Sequence, residues 1–109
     1  MKVVIVEMWA YQDGAIREVR IPDEATGTLD NMLNAAFHYG QNDIQPVPDR
    51  CSVSVGDVIV LDDGRYLVAA LGFKKLTAAE YEQHKSLTPL QRALGMFGYV
   101  NDTETEGQS

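Results

Sequence analysis

The sequence predicts a single α+β domain: an antiparallel sheet of about four strands from two hairpins, one helix packed on the core face, and C-terminal short helices. Two observations predict the sheet. Apolar, β-rich runs flank Asp13-Gly14 near the N-terminus, and again flank Asp62-Asp63-Gly64-Arg65 in the middle of the chain. An Asp-Gly pair between such runs favours a hairpin, because the tight turn needs φ > 0 at both central positions. A third observation places the helix: Leu29, Met32, Leu33, Ala36 and Phe37 recur at helical spacing behind Thr28, a natural N-cap.

In order along the chain, Lys2 to Tyr11 reads as the first strand and Ala15 to Ile21 as the second, ended by Pro22. A two-residue Asp13-Gly14 loop would set Met8 opposite Val19, Val6 opposite Ile21, Glu7 opposite Arg20 and Trp9 opposite Glu18. Val4, Val6 and Met8 then share the core face, and Trp9 lies on the other. Pro22 to Gly27 is a polar loop. The helix behind Thr28 carries Asp30 in its first turn, which favours the helix dipole, and Gly40 is placed to end it in a left-handed conformation. Gln41 to Cys51 holds two prolines and no periodicity, a connecting loop of a length that is often functional. In the second hairpin, Leu61 is expected opposite Tyr66, Val60 opposite Leu67, Ile59 opposite Val68 and Val58 opposite Ala69. Both of its faces are then apolar, so something must cover each of them.

After Leu71-Gly72-Phe73 the chain is expected to leave the strand. Thr77-Ala78-Ala79-Glu80 is a capping box, opening a mostly polar helix to about Lys85 with Tyr81 as its buried contact. Thr88-Pro89 opens another helix, whose stripe is Leu90, Ala93, Leu94 and Phe97. The domain is expected to span residues 1–100, leaving 101–109 as a disordered acidic tail.

Composition narrows the classes of function. The 109 residues carry nine Lys or Arg against sixteen Asp or Glu, a net charge of −7, which argues against a sequence-independent nucleic-acid binder. No run approaches the roughly 20 apolar residues of a bilayer span. The N-terminal apolar run is interrupted by Glu7, so it reads as a strand rather than a secretory signal, and the cytoplasm is the expected location. The lone Cys51 excludes an internal disulfide and a cysteine-based zinc cluster. His38 and His84 are isolated, and no metal-ligand spacing or glycine-rich phosphate loop occurs. Asp57, Asp62 and Asp63 are explained by turn geometry. No catalytic, metal or cofactor residues are therefore expected.

The order LDNMLNAAFHYG, a proline-containing loop, then SVSVGDVIVLDDGRYLVAALGFKKL resembles the YodL-like domains, small bacterial modules of phage and mobile-element proteins. The matching positions are Ser52, Ser54, Gly56, Asp57, Val58, Gly72 and Phe73, within residues 28–76. The Gln41 to Arg50 loop and the C-terminal helix depart from the pattern. The resemblance implies an accessory or interaction role in a mobile-element setting and brings no enzymatic chemistry.

The leading expectation is a non-catalytic protein-interaction module, with a protein partner or homodimer contacting Trp9, Ile59, Leu61, Tyr66 and Val68, and no membrane association. The alternative is a nucleic-acid-binding domain similar to PUA and ASCH barrels, suggested by the Gly56-Asp57-Val58 strand start, which would use Arg50, Lys74, Lys75 and Tyr66. A third reading, an enzyme using His38, Asp43 and Cys51, requires those side chains to converge in one pocket.

Overall fold

In the computed structural model, which describes residues 2–93, one five-stranded antiparallel sheet runs in the order β2-β1-β3-β4-β5. The strands are β1 (Lys2–Met8), β2 (Ala15–Ile21), β3 (Val58–Leu61), β4 (Gly64–Ala69) and β5 (Gly72–Leu76). Helix α1 (Leu29–Tyr39) follows β2 after a short 3-10 turn at Asp23–Ala25, and α2 (Ala78–Ser86) and α3 (Pro89–Ala93) follow β5. The α+β class and the two hairpins hold, but the strand count is five. The fifth strand comes from Gly72-Phe73-Lys74-Lys75-Leu76, whose two lysines lack the apolar alternation that marks a strand.

Both hairpins keep their expected faces while changing register. Gln12 to Ala15 does form a turn, with φ of 44° at Asp13, 88° at Gly14, and an Ala15 N–H bond to Gln12 O. Trp9, Ala10 and Tyr11 bulge out before it, so Met8 pairs with Ala15, Val4 with Val19 and Glu7 with Ile16. That is a slip of four relative to the expectation, and an even slip leaves every side chain on its face. In the second hairpin the loop tightens to Asp62-Asp63, so Leu61 pairs with Gly64, Ile59 with Tyr66 and Val58 with Leu67. This slip of two also preserves the faces.

The first face carries Val4, Val6, Met8, Val19, Ile21, Ile59, Leu61, Tyr66 and Val68, packed against Leu33, Ala35 and Ala36 of α1. Thr28 caps α1 by accepting from the Asn31 amide. Its buried stripe is rotated from the expected one, because Leu29 and Phe37 are exposed while Ala35 is buried. Gly40 ends α1 at φ −81°, not in the left-handed region. Close approach is what requires glycine there: a Cβ would sit 2.4 Å from Val53 Cγ2 and 2.7 Å from Ala36 O.

The second face buries Val58, Leu67 and Leu76 beneath Trp9, Val55, Tyr81 and Leu87, so α2 covers the β3–β5 side. The Thr77–Glu80 capping box forms as expected. Thr88 and Gln91 make a second reciprocal pair at the start of α3. Leu90 is exposed. The expected stripe positions Leu94 and Phe97, and the expected tail at 101–109, lie outside the described residues.

Candidate functional site

The side chains expected to form an outer contact surface do not lie on one. Ile59, Leu61, Tyr66 and Val68 are 0%, 9%, 4% and 3% exposed and form the floor beneath α1. Trp9 lies on the opposite face, with Val58 and Leu67. The alternation separates the two hairpin faces but does not state which one α1 covers, and the expectation took the wrong one.

Trp9 belongs to a polar network that locks α2 onto the second face. Its indole N–H donates to Glu7 Oε1 at 3.1 Å, and its ring meets Tyr81 edge-on with centroids 6.5 Å apart. The Tyr81 hydroxyl donates to the same carboxylate oxygen at 2.6 Å, and Arg65 Nε lies 3.5 Å from Glu7 Oε2. The Arg65 guanidinium also stacks 4.2 Å above the Tyr81 ring. Burial, then the neighbouring Glu7 carboxylate, pushes the Tyr81 phenol up to about 12. From α3, Arg92 Nη1 donates to Trp9 O at 2.7 Å, and its guanidinium stands 4.9 Å from the indole centroid.

Two buried ionisable groups secure the base of this network. Asp57 Oδ1 accepts from Ala10 N–H at 2.8 Å and Oδ2 from Ser54 N–H at 2.9 Å. Burial raises its carboxyl from 3.8 to about 6 although these amides pull the other way. His84 is fully buried and donates from Nε2 to Gly56 O at 2.8 Å, with its pKa lowered by burial. Both groups address backbone rather than solvent, an arrangement that clamps the β1 exit and the Ser54–Asp57 turn.

Among the described residues, no helix covers the β1–β2 side of the second face. By alternation it presents Val3, Ile5, Ile16 and Val60. Val3 is 48% and Ile16 47% exposed, Ile5 and Val60 are half-buried, and none of the four packs into either core cluster. Along one cross-strand row, Glu18, Ile5, Val60 and Arg65 follow in order, placing two aliphatic side chains between an acid and a base.

The loop from Gln41 to Cys51 is tied to the outer edge of β2. Arg17, 1% exposed, donates from Nη1 to Asn42 Oδ1 and Cys51 O, both at 2.8 Å, and from Nη2 to Gln45 O. Burial lowers its pKa. The Gln45 side-chain amide accepts from Arg20 N–H and donates to Arg20 O, occupying the strand edge as a neighbouring strand would. Arg50 Nε donates to Ile16 O at 2.7 Å.

The residues of the other two expectations do not converge. His38 is exposed and meets Tyr39 edge-on, Asp43 is exposed, and Cys51 is half-buried with its amide bonded to Gln12 and its carbonyl to Arg17. Among the described residues, no group of three or more His, Cys, Asp or Glu is placed to hold a metal ion. Arg50 docks at the β2 edge while Lys74 and Lys75 sit on β5, four strand spacings or about 19 Å away, and Tyr66 is buried. No described helix is long and apolar enough to cross a membrane. Arg17 was legible as a core-facing residue, since it shares strand parity with Val19 and Ile21. No sequence signal marked Asp57 or His84 as clamps. Comparison of the chain with known protein families, characterised proteins and solved structures finds no match.

Proposed function

We infer that the protein is a non-catalytic protein-interaction module that pairs with a second copy of itself through the β1–β2 side of the second face. The observation that carries this reading is the set of exposed Val3 and Ile16 with half-buried Ile5 and Val60, beside a region of the same face that α2 covers. The flanking charges suit a twofold partner. With the axis parallel to β1, Ile5 meets Ile5 of the second copy, and Glu18 of each copy comes within reach of the other's Arg65. The two α2 helices then wall the contact on opposite sides. The resemblance to YodL-like domains supports an accessory role in a bacterial mobile element, acting in the cytoplasm.

Sedimentation velocity of the full chain from micromolar to millimolar concentration tests the reading. A concentration-dependent dimer, lost in a folded Ile5→Lys variant, is expected. A monomer throughout the range overturns it. The nucleic-acid alternative gains no comparable support, because its four residues share no surface.

A further inference from the structure

The cleft between the β2 edge and residues 47–50 is lined by Arg17, Arg20 and Arg50 together with Glu18 and Asp49. This is a local excess of cation in a chain of net charge −7. Arg17 forms part of the wall. It has no carboxylate within 4 Å among the described residues, and its buried Nε finds no acceptor. Its charge is therefore met only by carbonyl and amide oxygens, in surroundings where an unpaired ion is costly and its field is weakly screened.

The two rim guanidiniums have unused donors. Arg20 makes no side-chain hydrogen bond or ion pair among the described residues, its links to Gln45 being through the main chain. Arg50 uses Nε and Nη1, leaving Nη2 without a partner there. Between them lies Glu18. Its main chain points outward by the same alternation that exposes Arg20 and Ile16, and neither Gln45 nor Arg50 closes it.

We propose that this cleft binds a phosphate group, gripped between the Arg20 and Arg50 guanidiniums with the Glu18 amide as a further donor and the buried Arg17 charge behind them. Two guanidinium forks at one opening match a tetrahedral dianion, whereas a carboxylate would occupy only one fork. The site lies at the β2 edge and borders the face assigned to self-association, sharing Ile16 and Glu18 with it. It does not rest on that assignment, and phosphate is titrated at a concentration where the chain is monomeric. Glu18 and Asp49 repel the anion and offset part of that attraction.

The test titrates inorganic phosphate into the full chain at constant ionic strength, following backbone amide shifts by NMR, with acetate and chloride as separate arms. Saturable shifts centred on residues 16–20 and 47–50 are expected for phosphate alone. Arg20→Gln, which removes no contact made within the fold, should weaken binding by about tenfold, the loss of a charge-assisted hydrogen bond. Arg50→Gln should do the same, with its amide spectrum showing whether the loop remains docked. Shifts that fail to saturate, an equal response to acetate or chloride, or unchanged binding in Arg20→Gln would each overturn the proposal.

Discussion

Replacing Asp57 with asparagine separates what this buried carboxylate contributes from what it costs. The group is 1% exposed and accepts two main-chain amides, yet burial lifts its pKa from 3.8 to about 6. A raised pKa means that the folded chain holds the proton more tightly than the unfolded chain. Asp57 therefore favours the fold most below its unfolded pKa, and that contribution is eroded as the pH rises through about 6. A displacement of about 2 units corresponds to about 3 kcal/mol. Asparagine resembles the protonated acid, with one acceptor and one donor, and does not titrate. Urea unfolding of both proteins at several pH values isolates this term, because every other titrating group is common to the pair. The stability of Asp57→Asn relative to the natural chain should rise by about 3 kcal/mol between about pH 4 and pH 7. A difference that stays flat, or falls over that range, refutes the placement of Asp57 as a desolvated carboxylate.

His84 should show the opposite slope. Its pKa is lowered by burial, so the folded chain resists its protonation and stability falls as the pH drops below the unfolded histidine value of about 6.5. Urea midpoints of His84→Gln should therefore fall less steeply between about pH 7 and pH 5 than those of the natural chain. Gly40→Ala should destabilise by about 1–3 kcal/mol, because the added Cβ meets Val53 and the Ala36 carbonyl oxygen. Thermal unfolding measures this, and an unchanged midpoint would mean that the Val53 contact relaxes freely.

How much the sequence revealed follows from which physical signal each element carried. Alternation fixed the faces of all four expected strands, since the even slips of both hairpins left them unchanged. Register was less legible, because the Asp13-Gly14 turn formed as expected while Trp9, Ala10 and Tyr11 bulged ahead of it. Caps were read well: Thr28 and the Thr77–Glu80 box need only a few adjacent residues. That α1 and the C-terminal helices take opposite sides was legible, but which face of the second hairpin α1 covers was not, as both faces are apolar and nothing local orders them. That single ambiguity put Ile59, Leu61, Tyr66 and Val68 on the expected outer surface, whereas α1 buries them. The Gln41–Cys51 loop was marked by its length, but its anchorage depends on Arg17, a distant residue that local pattern does not connect to it.

The proposed self-association runs through Ile5 and the Glu18–Arg65 row on the second face. Sedimentation velocity on Glu18 variants tests it most directly. Glu18→Arg should weaken self-association by setting two cations side by side across the twofold, while Glu18→Asp should retain it. Arg65 is left in place because it also pairs with Glu7 and stacks on Tyr81. Association unaffected by Glu18→Arg, or lost equally in Glu18→Asp, would contradict this contact.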